Sequence, residues 1–92
     1  MDNSYYKELA GRLYGLVIRL GDRLPAGQAR WLHHVIDAGE YGLALEDMTG
    51  MLAHGMIATS GEERAGILAL AARMKLEDGV VPRALGNCPE AG

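Results

Sequence analysis

The fold is decided by residues 37–52, DAGEYGLALEDMTGML, which contain the end of one helix and the start of the next. Gly39 follows an apolar stripe and is placed to adopt the left-handed conformation that ends many helices. From about Glu40 to His54, apolar residues recur at the three- and four-residue spacing of one helical face. The residues expected to face inward are Tyr41, Ala44, Leu45, Met48 and Leu52. The stretch therefore predicts two helices that meet at a tight corner.

Three further stretches show the same helical spacing. The first helix is predicted to start at Asn3 or Ser4 and to end at Gly21, and Pro25 is predicted to occupy the first turn of the second. Residues 59–76, TSGEERAGILALAARMKL, begin with Ser60 and Glu63 at capping-box spacing and continue as a fourth helix. The inward positions of the first helix are predicted to be Tyr6, Leu9, Leu13, Leu16, Val17 and Leu20, and those of the fourth Ile67, Leu70, Ala71 and Met74.

Length and composition agree with one small helical domain. The chain has 92 residues, and 49% of them are hydrophobic although Phe is absent, so the core must be largely aliphatic. No useful period-two strand pattern is present. We predict an all-α, compact four-helix single domain over residues 1–85, in which 80–85 add a short C-terminal turn, followed by a flexible tail at 86–92.

Charge and cysteine usage suggest a soluble chain in a reducing compartment. The net charge is −3, which argues against a phosphate-binding partner and suits a basic protein better. Cys88 is the single cysteine, so no intrachain disulfide can form. The opening residues MDNSYYKE lack the features of a signal peptide, and no apolar run approaches the length of a membrane span. We therefore expect a cytoplasmic protein with no membrane partner.

Residues suited to catalysis or metal binding do not form a recognisable motif. His33, His34, His54 and Cys88 are the soft ligands available, and none falls in an HxxxH or CxxC arrangement. Serine and threonine residues are few, and Ser60 is already explained as a helix cap. We therefore expect no enzyme activity, no metal and no cofactor.

The basic residues of the fourth helix suggest an alternative, a helix–turn–helix nucleic-acid-binding protein. Arg64, Arg73 and Lys75 lie on it, but Glu62 and Glu63 occupy its N-terminus, where a reader helix would meet phosphates. Three basic groups beside local acids supply little of the counterion release on which such binding depends. This alternative ranks below a protein-binding role.

The corner between the second and third helices is the candidate binding surface. Its carboxylates could simply stabilise helix N-termini, as acidic residues in a first turn do. That reading does not explain Leu43, which lies on the outward face of the third helix beside Glu40 and Asp47. Trp31 lies at the edge of the second helix's stripe, where a partly buried structural role competes with that of an interface anchor. The predicted partner-binding residues are Trp31, Asp37, Glu40, Leu43, Glu46 and Asp47.

Residues 37–76 also resemble a known family. The segment GEYGLALEDMTGML and the capped SGEERAGILALAARMKL after it resemble the MafI-like immunity proteins of bacterial polymorphic toxin systems. The resemblance covers under half of the chain. Most of its signature positions look like determinants of the fold, and no contact residue is carried over from the family. Those positions are Gly39, Glu40, Tyr41, Gly42, Ala44, Leu45 and Glu46.

The resemblance implies a cytoplasmic antitoxin that binds the C-terminal toxin domain of a secreted effector. Such toxins are often nucleases, most often acting on RNA, and their basic clefts complement an acidic inhibitor. The prediction is therefore an immunity protein whose acidic corner occludes a nuclease cleft, with binding away from the active site as the alternative mode of inhibition. The alternative from another class is a small helical adaptor or regulatory protein.

Overall fold

Five helices pack around one core in the computed structural model, which describes residues 3–76 and 78–90. They are α1 (Ser4–Leu20), α2 (Gln28–Asp37), α3 (Tyr41–His54), α4 (Gly61–Arg73) and α5 (Val80–Gly86), with a single 3₁₀ turn at Gly21–Arg23. The all-helical class is confirmed, and the helix count is five because the predicted C-terminal turn is a helix in its own right. α3 is central, since it packs against each of the other four helices.

The corner between α2 and α3 is built by the predicted glycine stop. Gly39 has a φ of 81°, and its N–H donates to the Ile36 carbonyl at 2.9 Å. The Glu40 N–H reaches back to the Val35 carbonyl at 3.1 Å, which completes a Schellman motif. The chain therefore turns within three residues, and Glu40 becomes the N-cap of α3.

The core confirms most of the inward positions predicted for α3. Ala44, Leu45, Met48 and Leu52 are fully buried, and Thr49 joins them by donating its hydroxyl to the carbonyls of Leu45 and Glu46. Tyr41 is only half-buried and packs at the edge of the core.

Two predictions made from the first third of the chain are wrong. α2 begins at Gln28 rather than at Pro25, because Gly27 adopts a φ of 84° and closes a type II turn in which the Gln28 N–H donates to the Pro25 carbonyl. Tyr6 is exposed rather than inward, because its ring stacks on Tyr41 at the surface instead of entering the core.

The described part of the predicted flexible tail is packed on the domain. Cys88 is buried, and the Thr59 N–H donates to the Pro89 carbonyl at 3.1 Å. The Arg64 guanidinium donates to the carbonyls of Leu85 and Cys88, at 2.6 and 3.4 Å. The predicted boundary at residue 85 therefore does not mark the end of the packed chain. The last two residues of the predicted tail, 91 and 92, lie outside the described residues.

Candidate partner-binding face

An apolar groove lies between α2 and α3, close to the corner. It has a volume of about 280 Å³. Trp31 and Leu43 form two of its walls, and their side chains remain 49% and 45% exposed. Its lining residues are Trp31, His34, Val35, Ala38, Glu40 and Leu43. The structure thus brings three predicted site residues, Trp31, Glu40 and Leu43, around one depression.

A hydrogen bond from the neighbouring helix fixes the orientation of Trp31. Its indole Nε1–H donates to Oδ2 of Asp47 at 3.0 Å, and the two residues are 16 positions apart in the chain. Trp31 also lines a second, open depression together with Gln28, Glu46, Asp47 and Met51, among others. Trp31 is therefore shared by an apolar groove and an acidic hollow. We call Trp31, Glu40, Leu43 and Asp47 the α2–α3 face.

The carboxylates of this region lack cationic partners. Across residues 3–76 and 78–90, salt bridges join arginines to Glu8, Glu62, Glu63 and Glu90. Within the same residues, none joins a basic side chain to any of the four carboxylates predicted at the corner. Those four are Asp37, Glu40, Glu46 and Asp47. Their negative charge is therefore left to solvent or to a partner.

Two tyrosines extend this surface beyond the predicted residues. Tyr6 and Tyr41 stack with their ring centroids 6.3 Å apart, beside a depression that shares Glu40 and Leu43 with the groove. Sequence reasoning missed this extension, because no local pattern places the start of α1 beside the start of α3. The result is a continuous band of aromatic and acidic side chains across three helices.

The other two predicted site residues are placed differently. The pKa of the Glu46 carboxyl is raised by a hydrogen bond to Asp78, and desolvation and the charge of Asp47 add to the effect. Glu46 lines the acidic hollow, and its hydrogen bond to Asp78 also links it to the segment that leads into α5. Asp37 is exposed at the end of α2 and lines none of the three depressions around Trp31 and Leu43.

In the part of the chain that the structure describes, no group of three or more His, Cys, Asp or Glu side chains is arranged to hold a metal ion. None of the helices described is both long and apolar enough to cross a membrane. The thiol of Cys88 is buried, and this burial raises its pKa.

Comparison with protein-family models, with curated proteins and with solved structures finds no match for this chain. The geometry of the α2–α3 face and the resemblance of residues 37–76 are therefore the two indications of function.

Proposed function

We propose that this chain is a cytoplasmic bacterial immunity protein that binds and neutralises a nuclease toxin domain, with an RNase as the first candidate. The observation that carries the proposal is the exposed pair Trp31 and Leu43, bordered by carboxylates that form no salt bridge within the described residues. Aromatic anchors within a polar rim are typical of protein interfaces. The resemblance of residues 37–76 to immunity proteins supports the choice of a toxin as partner.

The proposed mechanism is occlusion of a basic cleft. A nuclease gathers Lys and Arg side chains to hold phosphate, and the carboxylates of Glu40 and Asp47 would pair with these groups. Such complementary charge speeds encounter and sets orientation. Trp31 and Leu43 would form the desolvated centre that slows dissociation. On this proposal the chain acts by binding and carries out no catalysis.

The arginines of α4 support a protein partner over a nucleic acid. Arg64 is engaged with main-chain carbonyls near α5, and Arg73 pairs with Glu8 of α1 at 2.8 Å. Glu62 and Glu63 at the start of the helix face Arg19 of α1. Little positive charge on this helix is left for phosphates, so we expect no gel shift with DNA or RNA at physiological salt.

The test is to isolate the partner and measure its binding to variants of the face. The wild-type chain should be co-purified from its host, and the captured protein then assayed for toxicity and for neutralisation by this chain. Glu40→Lys should mainly slow association and change its salt dependence, whereas Leu43→Asp should speed dissociation. Asp22→Lys is the matched control, since Asp22 is exposed on the 3₁₀ turn and lines none of the depressions around Trp31 and Leu43.

The decisive variant combines Glu40→Lys, Leu43→Asp and Asp47→Lys, with a thermal melt to verify that it is folded. If this variant neutralises the toxin as well as wild type, the α2–α3 face is not the interface. If the captured partner proves harmless to cells, the adaptor role replaces the immunity role.

A further inference from the structure

The α2–α3 groove has a shape and chemistry that favour one kind of partner side chain. Its walls come from Val35, Ala38 and Leu43, together with the rings of Trp31 and His34. Glu40 lies at its edge, and its carboxylate, which takes almost no part in the apolar lining, forms no salt bridge within the described residues. A complementary ligand therefore needs a hydrocarbon stem and a cationic head that can face both an indole and a carboxylate.

We infer that the groove receives an arginine side chain of the protein partner. The methylene stem would pack along Ala38 and Leu43, because long cationic side chains bury their stems on apolar surface. The planar guanidinium can stack on the indole of Trp31 and also pair with the Glu40 carboxylate through two parallel N–H groups. A lysine ammonium is a compact, strongly hydrated charge that offers neither planar contact.

Asp47 acts in this recognition as a positioning residue. Its Oδ2 accepts the indole N–H at 3.0 Å, so the ring is already held before a partner arrives. Because the ring is already ordered, less conformational entropy is lost when a partner binds. Asp47→Asn keeps an acceptor oxygen for the indole and removes only the charge, whereas Asp47→Ala removes both. The two variants separate the orientation of Trp31 from the electrostatic attraction.

The experiment uses Trp31 as its own reporter, because it is the single tryptophan of the chain. The full-length protein is titrated with three Gly/Ser peptides of equal length that carry arginines, lysines or leucines at the same positions. The readouts are the indole N–H resonance and the tryptophan emission. The arginine peptide should shift both and bind severalfold more tightly than the lysine peptide. The leucine peptide should leave both unchanged.

The variants give the inference its controls. Glu40→Gln should weaken binding of the arginine peptide, and Asp22→Asn, which removes one charge elsewhere, should not. Asp47→Ala should broaden or move the indole resonance of the free protein and weaken binding more than Asp47→Asn does. Equal binding of the arginine and lysine peptides, stronger binding of the leucine peptide, or no response of Trp31 would each overturn the inference.

This inference rests on the proposed function, but the two fail separately. If the natural partner is lost with Leu43→Asp while the arginine peptide leaves Trp31 unaffected, the face still binds the partner and the arginine assignment is wrong. The arginine peptide could instead bind while no substitution on the α2–α3 face changes the binding of the captured partner. In that case the proposed interface is wrong and the groove still recognises arginine.

Discussion

The carboxylates at two places in this small domain differ in burial and in hydrogen bonding. At the start of α4, Glu63 is buried and accepts hydrogen bonds from Arg23, Arg19 and the backbone N–H of Ser60. On the α2–α3 face, Glu40 is exposed and forms no salt bridge within the described residues, and Asp47 accepts only a neutral indole N–H. The chain thus satisfies one group of acids internally and leaves another available.

The difference separates a structural role from a binding role. The contacts of Glu63 connect α1 and the 3₁₀ turn to α4 across about 40 positions of sequence, so this residue holds distant elements together. On the α2–α3 face, Asp47 accepts one hydrogen bond from the neutral indole of Trp31, and neither Glu40 nor Asp47 forms a salt bridge within the described residues, so the charge of this face contributes little to the folded state. Changes in the first region should therefore affect stability, and changes in the second should affect binding.

The largest loss of stability is expected in the core, where truncation of a leucine on α3 or on α4 should have a similar effect. Leu45 lies in α3 and Leu70 in α4, and both are almost completely buried. Leu45→Ala and Leu70→Ala should each cost about 2–5 kcal/mol, because each removes apolar burial and leaves a cavity. Urea unfolding followed by circular dichroism measures both. A neutral result at either position would show that the packing around it differs from the structure.

A smaller loss of stability should distinguish the start of α4 from the α2–α3 face. Glu63→Ala should cost about 2 kcal/mol, since it removes the capping box and charge-assisted hydrogen bonds to two arginines. Glu40→Ala should stay within about 0.5 kcal/mol of wild type, as is usual for a surface site. Glu63→Gln keeps the capping geometry and should lose only about 1 kcal/mol. Equal losses for Glu63→Ala and Glu40→Ala in urea unfolding would remove the proposed distinction.

Local sequence signals were sufficient for the end of α2, for the start of α4 and for the outward position of Leu43. Gly39 and the Ser60–Glu63 capping box depend on residues within four positions of each other, so their chemistry can be read directly from the sequence. The end of α3 was less readable. The helix ends at His54 as the pattern predicts, but the left-handed residue that follows is Met56, and a Cβ at Gly55 would come within 3.2 Å of Ile57.

The contacts that define the two regions could not be predicted, because they join residues that are distant in sequence. The Trp31–Asp47 bond depends on how α2 crosses α3, and the Tyr6–Tyr41 stack on how α1 meets α3. Glu63 was explained as a cap, but the sequence did not show that Arg23 also reaches it. Periodicity specifies which face of a helix is buried and leaves open which helix covers it.

The smallest effect concerns pH, and it should have opposite signs in the two regions. Hydrogen bonds from Arg23 lower the pKa of Glu63 from 4.5 to about 2. A carboxyl whose pKa is lower in the folded state stabilises the protein above its unfolded pKa and loses that contribution as the pH falls. Stability should therefore fall by about 1 kcal/mol between about pH 4.5 and 2, the same loss as for Glu63→Gln, because solvent screens the partly exposed arginines.

Glu46, beside the α2–α3 face, should show the reverse dependence. Its pKa is raised above 4.5 by the hydrogen bond to Asp78, so the folded state favours its protonated form. That contribution is complete below pH 4.5 and is lost as the pH rises through the raised pKa. Glu46→Gln should therefore reduce the dependence of the melting temperature on pH above pH 4.5. Glu63→Gln should reduce that dependence below pH 4.5. Calorimetric melts across this range measure both. A change below pH 4.5 for Glu46→Gln would mean that Glu46 interacts mainly with a group other than Asp78. A change above pH 4.5 for Glu63→Gln would mean that Glu63 interacts mainly with groups other than the two arginines.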